Sequence, residues 1–181
     1  TRGPAEEFTR IRDAVILELL FAGGLRVSEL CCLTFSDLDP DNSCLCIHGK
    51  GNKERIVYLE NPEVLKVLAQ YLTLRNAMDL DLPFLFVTKF KGPMSTQGVR
   101  NLVTKYTRLA GIRKNITPHV FRHSFASLLL EEGVDIKYIQ DFLGHSSIST
   151  TQIYLHTTGA KKREIISKMH PRGKLNSSRQ E

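Results

Sequence analysis

Apolar side chains recur along this chain at helical spacing in several separate stretches. Ile11, Val15, Leu19 and Ala22 form the first stripe, and Gly23-Gly24 can end it in the left-handed conformation that glycine adopts cheaply. Val27, Leu30 and Leu33 share one face of a second, short helix over residues 26–33. A third starts at Pro62, with Val64, Val67, Leu68, Tyr71 and Leu72 on its stripe. Ser95 can cap a fourth, carrying Val99, Leu102, Val103 and Tyr106 and stopped at Gly111. Thr117-Pro118 is a strong helix start, a capping hydroxyl followed by proline in the first turn. Gly133 ends that helix, Asp135 caps the next, Gly144 ends it, and Ser147 or Ser149 can cap a last one.

Between the helices the period shortens. Residues 44–47 and 55–59 read as two strands joined across His48-Gly49-Lys50-Gly51-Asn52-Lys53, whose glycines and asparagine permit a tight reversal. Residues 37–43 read as a turn, and residues 84–87, Phe-Leu-Phe-Val, as a third strand. The predicted fold is mainly α with a small antiparallel β-sheet. It lacks the strand–helix alternation of a parallel sheet, an internal repeat, and a phosphate-cradling P-loop, because Gly51 follows Gly49-Lys50 where a Ser or Thr would hold magnesium.

Composition sharpens this picture in three ways. With 181 residues and 41% hydrophobic side chains, the chain suits one domain with a real core. Residues 1–169 are expected to form it, and the polar stretch 170–181 to be a poorly ordered tail. No apolar run is long enough to span a bilayer, so no membrane partner is expected. The net charge of +6 favours a polyanionic partner, and Lys50, Lys53 and Arg55 gather around the glycine-rich turn. The cysteines fall as Cys31-Cys32 and Cys44-Leu45-Cys46, without the gaps of common zinc sites. They read as reduced core or strand residues of an intracellular protein, with no metal and no cofactor expected.

Four segments could carry chemistry. On the helix after Pro118, Phe121, Phe125, Leu128 and Leu129 make a buried face, with Arg122 at its edge and His119 one turn earlier. A guanidinium fixed by packing presents parallel N–H groups to a phosphate, and an imidazole beside it can move a proton near neutral pH. His145 follows the helix-ending Gly144, and Tyr154 comes nine residues later. A free phenol is a poor nucleophile until a base or cations help it. Tyr138 is a rival nucleophile embedded among core positions, while Tyr71 and Tyr106 read as structural. Arg26 opens a helix with Glu29 one turn on, and Lys50 lies in the hairpin turn. Taken singly, each has an ordinary explanation as a surface ion pair, a solvated loop lysine or a half-buried aromatic.

Taken together, Ala22-Gly23-Gly24-Leu25-Arg26-Val27-Ser28-Glu29-Leu30, Gly49-Lys50-Gly51-Asn52-Lys53-Glu54-Arg55, Thr117-Pro118-His119-Val120-Phe121-Arg122-His123-Ser124-Phe125-Ala126 and Leu143-Gly144-His145 with Tyr154 resemble the successive boxes of the tyrosine recombinases. That family includes phage and transposon integrases and the Xer-type enzymes. The resemblance implies the fold of their catalytic domain and a site-specific breaking and rejoining of double-stranded DNA through a covalent 3′-phosphotyrosyl intermediate. By the same resemblance Arg26, Arg122 and His145 would hold the scissile phosphate, Tyr154 would attack it, and His119 would help move the tyrosine proton. Lys50 would protonate the departing 5′ oxygen, Glu29 would support its neighbours, and Lys53 and Arg55 would touch the DNA backbone. Family likeness further implies a tetramer of the full-length protein on DNA, with a C-terminal helix docked on a neighbouring protomer. It also implies a cytoplasmic, nucleoid-associated location. The separate N-terminal core-binding domain usual in the family is expected to be absent from this chain. Two other readings stand beside this one: a non-catalytic helix-turn-helix binder over the two helices broken at Gly133, and a type IB topoisomerase that rejoins the same strand.

Overall fold

The structure is a computed structural model that describes residues 3–49, 53–144 and 159–169. Among these residues the chain forms α1 (Pro4–Ala22), α2 (Val27–Cys32), a single 3-10 turn (Phe35–Asp37), and the strands β1 (Leu38–Asp39), β2 (Cys44–His48) and β3 (Glu54–Tyr58). Then follow α3 (Pro62–Asn76), α4 (Thr96–Leu109), α5 (Pro118–Glu131), α6 (Ile136–Leu143) and α7 (Gly159–Met169). The mainly helical architecture with a small antiparallel sheet is the one the pattern predicts.

Two expectations about strands change. The sheet has the order β1-β2-β3, and its third member comes from the stretch read as a turn, with Leu38 paired to Leu45 and Asp39 to Cys44. Residues 84–87 are extended but make only the isolated bridges Thr34 to Phe84 and Val87 to Pro93. The reason is burial. Leu85, Phe86 and Val87 are all 0% exposed, so the segment threads the core instead of lying at a sheet edge. Its backbone bonds go one at a time, from Leu85 N–H to Leu33 O and from Met94 N–H to Phe86 O, and Leu85 O accepts from the Tyr71 hydroxyl.

The helix boundaries follow their capping chemistry. The Ser95 hydroxyl accepts from Gly98 N–H, and the Asp135 carboxylate from Lys137 N–H, as expected. Thr117 occupies the cap position of α5, but its side chain makes no capping bond. Asn61, unremarked in the sequence pattern, caps α3 by accepting from Glu63 and Val64 N–H. Gly144 ends α6 at φ +63°.

The larger core gathers α1, α3, α4 and the inner face of the hairpin around Ile16, Leu19, Leu20, Leu45, Ile47, Tyr71 and Phe86. A smaller one joins Phe125 and Leu129 of α5 to Ile139, Phe142 and Leu143 of α6 and to Ile165 and Ile166 of α7. In this chain α7 therefore packs on its own body, tied at its rim by Lys162 to Asp141 (3.1 Å) and Arg163 to Glu60 (3.1 Å). Burying two isoleucines there stabilises the docked helix by roughly 3–6 kcal/mol before the entropy of ordering it.

Candidate active site

The site begins at the turn between α1 and α2. Gly24 has φ +57°, and a Cβ there would lie 2.8 Å from Phe125 Cδ1 and 3.0 Å from Leu143 Cδ2. Only glycine satisfies both the left-handed backbone and the close approach of α5 and α6. The turn aims Gly24 O at α5, where it accepts from Arg122 Nη1 (2.6 Å). The other terminal nitrogen, Nη2, donates to Leu143 O at the end of α6. Arg122 is thus pinned from two sides and 8% exposed. Each terminal nitrogen keeps a second N–H beyond these two bonds. Burial first, then the nearby charges of Arg26 and Arg55, pull its pKa down to about 10, with Glu29 opposing. It remains a cation at neutral pH.

Glu29 is the hub of the arrangement. Its Oε1 accepts from Arg26 Nη1 and Arg55 Nη1, and its Oε2 from Arg26 N–H and Arg55 Nη2, each at 2.8 Å. Burial pushes this carboxyl upward, but the bonds from Arg55 and Arg26 outweigh it and hold the pKa at about 2. Arg26 is therefore both the cap residue of α2 and one partner in an ion cluster, not half of an isolated surface pair.

Arg55 corrects the expectation that it faces DNA. Its side chain is 9% exposed, its terminal nitrogens grip Glu29, and its Nε donates to Phe142 O (2.8 Å). Together Arg55 and Arg122 satisfy two orphan carbonyls at the C-terminal end of α6, where the helix dipole also favours cations. The physical cause is register: Arg55 pairs with Ile47 across β2–β3, beside the end of α6. Lys53, the residue immediately before β3, is exposed.

Arg26, His119 and Arg122 line one cleft of about 300 Å³, walled also by Leu25, Val27 and Pro118. His119 is exposed at the first turn of α5. Arg100 of α4 lines the same cleft and was not singled out by the sequence pattern. Its only signal was its place next to the buried Val99, and that α4 faces α2 is not readable from the chain. No acidic side chain is among the residues that line this cleft, so its field is positive and suits an anion.

Lys50, His145 and Tyr154 lie outside the described residues, as do the helix start at Ser147 or Ser149 and the tail from residue 170. The four described tyrosines are all engaged elsewhere. Tyr71 is 0% exposed, with its pKa raised to about 12 by burial. Arg163 covers the Tyr58 ring at 4.9 Å, and Tyr106 and Tyr138 pack against the two cores.

Among the described residues, no helix is long and apolar enough to cross a membrane. A tyrosine recombinase of Agathobacter rectalis is 46% identical over 90% of this chain and 53% of its own length. A XerA recombinase structure superposes with a TM-score of 0.72 at 38% identity, over 94% of this chain and 64% of that one. A XerH site-specific recombinase bound to its difH substrate in a pre-cleavage complex gives 0.69 at 25% identity, over 96% and 47%. The chain spans about half the length of the curated relative it matches. Neither the helix-turn-helix binder nor the topoisomerase is favoured by these likenesses. The family model described as the phage integrase family matches residues 4–161, and the chain belongs to that family.

Proposed function

We propose that this chain is the catalytic domain of a site-specific tyrosine recombinase acting on double-stranded DNA. The observation that carries the proposal is the shared cleft of Arg26 and Arg122, two guanidiniums fixed from behind by Glu29, Gly24 and Leu143. Phosphoryl transfer needs charge stabilised on the non-bridging oxygens and a nucleophile in line, and fixed cations meet the first need. Arg26 and Arg122 hold those oxygens, His145 adds a donor, and Arg100 adds to the field.

The Tyr154 oxygen attacks phosphorus as the bond to the 5′ oxygen breaks. His119 assists loss of the phenolic proton, and Lys50 delivers a proton to the departing oxygen. One phosphodiester replaces another, so the bond energy is retained and a 5′ hydroxyl from a second strand reverses the step without ATP. Lys53 contacts the DNA backbone, whereas Glu29 and Arg55 act through the residues they hold. In the full-length protein the domain works as part of a tetramer on DNA, in the cytoplasm at the nucleoid.

The test is a nicked suicide substrate of cognate sequence, run on a denaturing gel. A protein–DNA adduct that disappears in Tyr154→Phe supports the proposal. An adduct that persists in Tyr154→Phe contradicts it.

A further inference from the structure

The outer face of the hairpin carries a second cluster, away from the cleft. Strand alternation sends Leu45 and Ile47 into the core and puts Cys46 and His48 together on the opposite face. The register pairs His48 with Glu54 across the hairpin. Cys46 Sγ, a ring nitrogen of His48 and a carboxylate oxygen of Glu54 all lie within 4.8 Å of one another. They come from residues that sequence spacing cannot bring together, because Glu54 reaches the others only through strand pairing.

The histidine is held in a specific way. Its Nε2 lies 2.9 Å from Asp37 Oδ1, while Nδ1 faces Glu54 Oε1 at 3.1 Å. Asp37 is itself fixed, because its Oδ2 accepts from Thr34 N–H and the Thr34 hydroxyl, each at 2.7 Å. A neutral imidazole has one N–H, and two carboxylates stand at its two ends. With the N–H directed at Asp37, the Nδ1 lone pair confronts the oxygen of Glu54. That contact is satisfied by a proton on Nδ1 or by a cation held between the two groups, and the thiol of Cys46 beside them supplies a third donor for such a cation. A carboxylate on the far nitrogen is also the arrangement that orients histidine as a metal ligand and makes it more basic.

We propose that Cys46, His48 and Glu54 form a site for a zinc-class divalent cation, with Asp37 as a positioning residue behind His48. Thiolate, imidazole and carboxylate together match the donor preferences of that ion. Its ordinary bond lengths place tetrahedral donors roughly 3.3–3.6 Å apart, a small adjustment from the present cluster. His48 and Glu54 are exposed, with side chains 56% and 58% accessible, which leaves the fourth position to water. Binding replaces the proton of the Cys46 thiol, which passes to solvent as the metal–sulfur bond forms. The ion would tie His48, the last residue of β2, to Glu54, the first residue of β3. This inference does not depend on the proposed DNA chemistry.

The experiment is a titration of the chain with Co2+ under a non-thiol reductant, followed by Zn2+. The expected result is one equivalent of bound Co2+ showing a thiolate-to-cobalt charge-transfer band, removed by Zn2+. Cys46→Ser should abolish the band and His48→Asn should weaken Co2+ binding at least about tenfold, with circular dichroism showing both variants folded. Cys32→Ser, at an exposed cysteine on α2, should leave it intact. Absence of the band in the wild-type chain, or its persistence in folded Cys46→Ser, would overturn the proposal.

Discussion

Replacing Glu29 by Gln removes one charge while keeping the shape of the side chain. The amide oxygen can still accept two of the four bonds made by Arg26 and Arg55, but the amide nitrogen then meets the donors that faced the other oxygen. Three guanidiniums, those of Arg26, Arg55 and Arg122, would be left without their shared carboxylate. The lowering of the Glu29 pKa from 4.5 to about 2 sets the scale of what that carboxylate contributes. At about 1.4 kcal/mol per pH unit it corresponds to roughly 3 kcal/mol. Solvent reaches the cluster along Arg26, which is 37% exposed, so the expected loss at about pH 7 is roughly 2–3 kcal/mol. The sign with pH follows from proton uptake. The folded pKa lies below the unfolded one, so between them the unfolded chain binds more protons and stability falls as pH drops. The contribution is complete above 4.5, is less than half by about pH 3, and is lost as pH falls through about 2. Urea unfolding of wild type and Glu29→Gln at about pH 7, 5 and 3 reads this directly. A gap under about 0.5 kcal/mol at pH 7, or one that stays constant down to pH 3, would refute the reasoning.

Arg55→Lys should destabilise the fold by roughly 2–3 kcal/mol, because a single ammonium cannot grip Glu29 twice and reach Phe142 O. In binding assays across salt concentrations it should leave the salt slope for DNA unchanged, whereas Lys53→Ala should lower that slope by about one. Gly24→Ala should cost roughly 2–4 kcal/mol in chemical denaturation, from the left-handed backbone and the contact with Phe125. It should slow cleavage more than its stability loss explains, because the Gly24 carbonyl positions Arg122. Ile166→Ala, at a position 3% exposed, should release α7 at a cost of roughly 2–4 kcal/mol, seen as faster amide exchange in α7 with little change in α1.

Much of this fold could be read from the chain because its signals are local. Stripes such as Val64, Leu68 and Tyr71, caps such as Ser95 and Asp135, and the stop at Gly144 depend only on neighbours a few residues away. What the pattern missed depends on distant partners. Residues 84–87 have the composition of a strand, yet become a core thread because Leu85, Phe86 and Val87 are buried on both faces and pair only through isolated bridges. Leu38–Asp39 has no strand-like pattern, and pairs only because β2 offers an edge. The motif order named Arg26, Glu29, His119 and Arg122, and the structure brings them into one neighbourhood. It could not tell that Arg55 turns inward, since that outcome depends on the carbonyls of α6, many residues later. Arg100 reaches the cleft by tertiary packing alone.

If Arg26 and Arg122 act on the negative charge of a single phosphate, removing that charge should remove most of the need for them. The most direct test replaces one non-bridging oxygen of the scissile phosphate in a suicide substrate with a methyl group, which removes the charge and preserves the linkage. On the natural phosphate, Arg26→Ala and Arg122→Ala should each cleave about 100-fold or more slowly than wild type, with folding confirmed by circular dichroism. On the neutral methylphosphonate those deficits should shrink to within about tenfold, because little charge remains to stabilise. Deficits of equal size on both substrates would contradict the claim.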